Sequence, residues 1–275
     1  MNVDLHSHST ASDGLLKPAE VVARAAANAV DVLALTDHDE VSGLEQARAE
    51  ARSRGIRFVD GVEISVSWRG TTVHVVGLQI DPNAPALRSG LESVRQGRAQ
   101  RAEKIGESLA AAGVPGGLAG ARRHADNPNL ISRAHFARYL VEAGRAPDVR
   151  NVFQRYLVKD KPGFVAHEWA PLADAVSWIR ASGGVAAVAH PGRYKFAKSE
   201  MREFLADFKD CGGAAIEVVT GSHSPEQYSE FARVAREFGL LASRGSDYHG
   251  KGESKTDLGA LPPLPDDLKP VWHDW

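Results

Sequence analysis

The chain has one cysteine, Cys211, so no intramolecular disulfide can form, and a reducing compartment suits it. No apolar stretch approaches the roughly 20 residues of a membrane span. The opening MNVDLHSH carries no apolar signal-peptide core, so a cytoplasmic location is expected. The formal charge of −2 supplies no global basic field, which argues against a duplex-DNA binder. There is no internal repeat and no low-complexity segment. Hydrophobic residues at 43% and charged residues at 25% are ordinary globular usage. What stands out is histidine, with 11 in 275 residues.

Short apolar runs alternate with helical patterns. Strands are expected at Val3–Leu5, Val32–Leu35, Ile56–Val59, Ile64–Trp68, Thr71–Ile80, Gly184–Ala189, Ala214–Val219 and Leu240–Ser243. Helices are expected from Pro18 to about Asn28, then at Gly43–Arg54, Leu172–Ala181, Ser199–Asp210 and Pro225–Phe238, with Asp39 or Ser42 capping the second. Repeated βα units imply a parallel sheet covered by helices, and the strand number favours a closed barrel. From Pro85 the period becomes helical, and Gly113–Gly120 reads as a break. Residues 1–84 and 162–275 are therefore expected to form the barrel, with 85–161 a helical insertion.

The polar residues fall just after strands: His6, His8, His38, Glu63, His190, His223, Asp247 and His249, with Asp13 in a turn and His74 in the next strand. In a βα barrel those ends converge on one face. A lone strand-end histidine is more often structural, Asp13 suits a turn, and Asp37 or Asp39 suits a cap. Nine of these, all but His223, set at or near successive strand ends outweigh coincidence. Imidazole with carboxylate and no thiolate suits zinc, manganese or iron rather than a structural zinc finger. Nine ligands exceed one ion, so two to three are expected.

The segments HSHSTASDG, TDHD, GVEIS, TVHVVG, AHPGRY and SDYHG resemble the polymerase and histidinol phosphatase (PHP) family of phosphoesterases. RAHFARYL, KPGFVAHEWA, GGVAAVAHPGRY and GSHSPEQ resemble its branch of RNase AM and the 3′,5′-nucleotide bisphosphate phosphatases. The resemblance implies an α/β fold, a distorted (β/α)7 barrel. It also implies three ion sites: His6, His8, Glu63 and Asp247; Glu63, His74 and His190, with Glu63 bridging; and Asp13, His38 and His249. The branch's usual Arg-Pro-His is here Arg133-Ala134-His135.

The function so implied is metal-dependent hydrolysis of the 3′-phosphate of nucleoside 3′,5′-bisphosphates, with short 5′-phosphorylated RNA as a further substrate. A metal-bridging hydroxide would attack phosphorus, with manganese the expected ion and iron or zinc its rivals. Glu63, Asp247, Arg133 and His135 carry the catalytic role in this reading. Arg133 and His135 would grip the reacting phosphate, while Arg193, His223 and the lysines Lys159 and Lys161 would hold a second one. Trp169 is divided between core packing and the site. Arg95–Arg101 and Arg122–His124 read as solvated helix faces. The rival readings are a histidinol-phosphate phosphatase, an amidohydrolase and a non-catalytic metal-binding accessory module.

Overall fold

Val32–Leu35 buries all four side chains, so it needs cover on both faces. A computed structural model, describing all 275 residues from Met1 to Trp275, shows how the chain provides it. In order the elements are β1 (Val3–Asp4), α1 (Pro18–Ala27), β2 (Val32–Leu35), α2 (Leu44–Arg54), β3 (Arg57–Trp68) and β4 (Thr71–Leu78). Next come α3 (Pro85–Ala111), α4 (Gly117–Arg123), α5 (Arg133–Glu142), α6 (Val149–Val152) and a π-helical turn, Phe153–Leu157. The chain then returns through β5 (Ala170–Pro171), α7 (Leu172–Ala181), β6 (Val185–Val188), α8 (Lys198–Asp210), β7 (Ala215–Thr220), α9 (Pro225–Phe238) and β8 (Leu241–Gly245).

The strand order is β1-β2-β3-β4-β6-β7-β8, with β5 beside β3. The Leu5 amide donates to the Arg244 carbonyl at 2.9 Å, the Asp247 amide donates to His6 at 2.9 Å, and Ser7 bridges Tyr248 in parallel. These bonds bring the last strand against the first, giving a nearly closed α/β barrel. The sheet is not wholly parallel, contrary to the simple βα expectation. Arg69-Gly70 is a two-residue turn with φ of 46° and 77°, which reverses the chain and sets β4 antiparallel to both β3 and β6.

Side-chain alternation decides what lines the barrel. Val59, Gly61 and Glu63 recur at intervals of two along β3, as do Leu78, Val76 and His74 along β4 and Ala215 and Glu217 along β7. The lower members join Val3, Leu5, Val32, Ala34, Ala187 and Ala189 in one apolar cluster, against which Trp272 and Trp275 of the tail pack. The upper members are polar. The interior therefore changes from an apolar plug to an ionisable ring along the same strands. Outside the sheet, a larger core packs the helices against the barrel.

The helical segment has its own apolar cluster, including Ile105, Leu109, Phe136, Leu140, Val152 and Leu157. Two local expectations fail. Helix α4 starts inside the presumed Gly113–Gly120 break, at Gly117. The N-cap of α2 is Gly43 with no side-chain bond, because the Asp39 carboxylate accepts instead from Arg98 and the Ser65 amide. No helix is long and apolar enough to cross a membrane.

Barrel closure depends on one bare backbone. A Cβ built on Gly245 would lie 2.3 Å from the His6 Cβ and 2.7 Å from its nitrogen. Gly245→Ala is expected to lower stability by about 1–3 kcal/mol through overpacking. An unchanged denaturant midpoint would show that β1 and β8 do not need this approach.

Candidate metal centre

The centre is assembled where strands end or change partner. His6 and His8 follow β1, His38 follows β2, His190 follows β6, and Asp247 and His249 follow β8. Glu63 does not end its strand as expected. It lies inside the 12-residue β3, where pairing passes from parallel β2 to antiparallel β4. The Asp39 amide donates to the Glu63 carbonyl and the Glu63 amide to Asp37, so the end of β2 is spliced beside it. Asp39, His190 and Asp247 have φ of 50°, 27° and 54°. Such left-handed conformations are strained for these residues, and surrounding bonds must hold them.

Five ring nitrogens surround the Glu63 carboxylate. His38 Nδ1, His6 Nε2 and His8 Nε2 lie 3.0, 3.3 and 3.4 Å from Oε2. His190 Nε2 and His74 Nδ1 lie 2.8 and 2.9 Å from Oε1. Asp247 Oδ1 is 3.2 Å from His8 Nε2 and 3.5 Å from His6 Nε2. Asp13 Oδ1 is 3.4 Å from His249 Nε2.

All nine candidates thus belong to one cluster, which contains three compact groups: His6, His8, Glu63 and Asp247; His38, Glu63 and His74; and His8, Asp13, His38 and His249. The first has the expected membership. In the second His38 stands where His190 was expected, although His190 Nε2 also lies 2.8 Å from Glu63 Oε1. The third gains His8, whose ring stacks on His249 with centroids 4.0 Å apart.

The donors suit a divalent cation. Glu63 Oε2, Asp247 Oδ1, Asp13 Oδ1 and His38 Nδ1 are buried without a hydrogen-bond partner despite these short approaches. The atoms converge on common points rather than on one another, and a desolvated acceptor left so is costly. His6 Nδ1 is 2.7 Å from Glu217 Oε1, which orients the ring so that Nε2 points into the cluster. Burial raises Glu63, Asp13 and Asp247, but the imidazoles overcome it and hold all three well below the usual carboxylate range. Burial, with His249 and His38, brings His8 down to about 3. At His6 and His249 the carboxylates outweigh burial, raising His6 well above its usual value and His249 to about 9, so a metal ion would have to displace a proton from these rings.

Sequence reasoning missed the residues that hold the ligands. Glu217 accepts from His6 and from the His190 amide. Asp37 accepts from Ser9 and Ser12, fixing the loop to Asp13. Asp4 accepts from the Ser246 amide beside Asp247. The available signal for Glu217 was a lone carboxylate in the buried strand AIEVVT.

Above the cluster opens a cavity of about 1300 Å³. Asp13, His38, His74, Asp247 and His249 line its floor, and Arg98, Arg101, Arg133, Arg193 and Lys255 its walls. Arg193 donates to Asp247 Oδ2 at 2.9 Å. Trp169 also lines the cavity, with Arg98 and Arg101 over its ring.

Several substrate expectations need correction. His135 is absent from the lining; it is buried, and its Nδ1 accepts from the Ser132 amide at the start of α5. His223 has both ring nitrogens engaged by backbone, Nδ1 at Val218 and Nε2 at the Gly192 amide, so it braces the turn that carries Arg193. Lys159 and Lys161 lie exposed outside the cavity. The Arg95–Arg101 face is not solvated: Arg98 is buried against Asp39 and Ser65.

If Glu217 orients His6 as described, Glu217→Gln is expected to weaken divalent-metal affinity about 10- to 100-fold. Metal titration against a chelating dye reads this directly. Unchanged affinity would remove Glu217 from the centre.

Residues 4–221 match the PHP domain. A 3′,5′-nucleoside bisphosphate phosphatase of Chromobacterium violaceum is 52% identical over 273 residues, spanning 99% of this chain and 96% of that protein. A 5′-3′ exoribonuclease of Haemophilus influenzae is 42% identical over 270 residues, spanning 98% and 97%. A solved Chromobacterium violaceum structure, described as an amidohydrolase with bound sulfate and no metal, is 52% identical. It superposes with a TM-score of 0.97, covering 100% of this chain and 95% of that one. The ring of imidazoles and carboxylates on this barrel thus has its counterpart in known relatives, and the chain belongs to the PHP domain family.

Proposed function

We propose that the protein is a divalent-metal-dependent phosphoesterase that removes the 3′-phosphate of nucleoside 3′,5′-bisphosphates, turning pAp into 5′-AMP. The observation that carries this reading is the pairing of a convergent donor cluster on the cavity floor with guanidiniums on its walls. The bisphosphate phosphatase at 52% identity supports the same substrate class.

His6, His8, Glu63 and Asp247 would hold one ion, Glu63, His74 and His190 a second, and Asp13, His38 and His249 a third. Glu63 would serve two of them, and manganese is the favoured metal. When bound, such ions supply Lewis acidity and make water nucleophilic at neutral pH. The chain's own groups do the rest. Arg193 already sits at Asp247 and can turn its planar fork onto phosphate oxygens. His223 keeps that turn in place. His135 fixes the first turn of α5, from which Arg133 reaches the cavity. Residues 1–84 and 162–275 act as the metal-bearing barrel and 85–161 as its cap, a division supported by the cap's separate apolar cluster. A cytoplasmic location belongs to the same reading, supported by the free Cys211.

The cavity exceeds the usual 300–1,000 Å³ range of small-molecule sites, which favours the 5′ end of short RNA as a second substrate. The exoribonuclease at 42% identity points the same way.

The test is a manganese-loaded panel of pAp, 3′-AMP, histidinol phosphate and a 5′-phosphorylated trinucleotide. The expected result is turnover abolished by EDTA, with kcat/KM for pAp at least about tenfold above that for 3′-AMP. Faster hydrolysis of histidinol phosphate, or no chelator-sensitive turnover, would overturn the reading. Asp247→Asn should lose at least about a hundredfold in kcat while the apolar plug keeps the barrel folded. Normal turnover in that variant would remove Asp247 from the site.

A further inference from the structure

Strands β4 and β6 pair antiparallel from Leu78 and Val185 to Val75 and Val188, so the next pair in register is His74 and Ala189. Only half of that pair is made. The Ala189 amide donates to the His74 carbonyl at 3.1 Å, but the His74 amide returns no bond to the Ala189 carbonyl. The Tyr194 hydroxyl stands between those two groups. It accepts from the His74 amide at 2.8 Å and donates its one proton to the Ala189 carbonyl at 2.8 Å. In an ordinary antiparallel ladder such a pair exchanges both bonds directly. Beyond this point the strands part. The His190 amide donates to Glu217 Oε2 at 2.5 Å, and the His190 carbonyl accepts from the Arg193 amide at 3.0 Å. Every backbone group at the fork thus has a partner, and the two that face each other across the gap share one hydroxyl.

The fork lies at the donor cluster. His74 Nδ1 and His190 Nε2 approach the same oxygen of Glu63, at 2.9 and 2.8 Å, with their ring centroids 5.2 Å apart. One ring stands on β4 and the other just past β6, the two strands that the hydroxyl spaces. The phenol itself is fixed. Its ring centroid lies 5.6 Å from that of Phe196 and 6.2 Å from that of Phe204, and both phenylalanines pack on Trp68. The Tyr194 amide donates to the Pro191 carbonyl, so the side chain returns over a single turn onto the carbonyl five residues before it. Tyr194 is absent from the cavity lining, which places it behind the ligands rather than with substrate.

We propose that the Tyr194 hydroxyl is a positioning group of the metal centre: set into the β4–β6 ladder where a direct backbone bond would close, it fixes the spacing of His74 and His190 at Glu63 Oε1. The ion it serves is the one assigned above to Glu63, His74 and His190, and the role rests on that assignment. Without the hydroxyl the fork has two choices. The His74 amide and Ala189 carbonyl stay apart without partners, which is costly, or they meet directly and draw Ala189 toward β4. Direct closure carries the start of the His190 turn with it, and Nε2 then leaves its place beside His74. A metal site tolerates displacements of only about 0.2 Å in its ligand distances. Groups that orient ligands from behind are worth roughly 10- to 100-fold in affinity.

The test titrates metal-stripped wild type, Tyr194→Phe and Phe208→Leu with cobalt(II), whose visible absorption reports ligand number and geometry. Thermal melts of the stripped proteins establish folding. Phe208 is fully buried and packs beside Phe204 rather than at the hydroxyl, so F208L is the control for simple loosening of the same core. Y194F keeps the ring and is expected to weaken the binding of one cobalt ion at least about tenfold and to change the visible spectrum. F208L should melt at a lower temperature with wild-type cobalt affinity and spectrum. A folded Y194F with wild-type affinity and spectrum would overturn the inference while leaving the metal assignment standing. Equal losses in F208L would trace the effect to loosening and overturn it as well. So would a Y194F that does not fold, because the hydroxyl would then serve the fold rather than the ligands. Wild type that takes up no more than one cobalt ion would overturn the assignment itself, and the role of Tyr194 with it.

Discussion

The Glu63 carboxylate is completely buried, with five imidazole nitrogens within 3.4 Å of its two oxygens. A charge so removed from water persists only if its surroundings replace the lost hydration. Those imidazoles come from segments following β1, β2 and β6 and from β4, so no local piece of chain can satisfy Glu63. The barrel has to close first. Closure brings His6 from the start of the chain against Gly245 near its end, and the apolar plug beneath keeps water from entering behind the ring. Fold and site are in this sense one problem, solved by the same strand contacts.

A second layer makes the ring rigid. Glu217 ties His6 to the His190 amide, Asp4 ties the β1 end to Ser246, and Asp37 ties the Ser9–Asp13 loop to the end of β2. Each acid is buried, and each spends its oxygens on amides, hydroxyls or a ring N–H rather than on cations. That use keeps the inner ring's charge for metal. It also holds the left-handed conformations of His190 and Asp247, which their side chains would not adopt unaided.

The inner ring was legible because its members stand in polar strand-end segments, where a histidine or aspartate has no packing reason to be. Glu63 was legible as a ligand but misplaced, since a strand that changes partners midway leaves no mark in its apolar pattern. The cap residues were misread for a related reason. A helix such as α3, with Arg95, Arg98 and Arg101 among Glu and Gln, has the composition of a solvated face. Only the fold shows that the barrel's acids lie opposite. His135 and His223 erred the other way: they occupy polar motifs, but their ring nitrogens satisfy backbone amides that helix and turn formation would otherwise leave bare.

The helical segment is tied to the barrel at several points. Arg98 on α3 holds Asp39, Arg138 on α5 holds Glu253 and the Asp13 carbonyl, and Asn127 holds the Ala11 carbonyl and Glu40. Two of these bonds end on the loop carrying Asp13 and two on the segment carrying His38. Swinging the cap away would strip partners from buried charges, at a cost of about 3–5 kcal/mol for the Arg98–Asp39 pair alone. Such an open state would be populated at less than roughly 1%. The helical segment therefore acts as a fixed brace for the loops carrying Asp13 and His38. Because the brace grips the loops that carry Asp13 and His38, the guanidiniums it presents keep a constant distance from the donor ring.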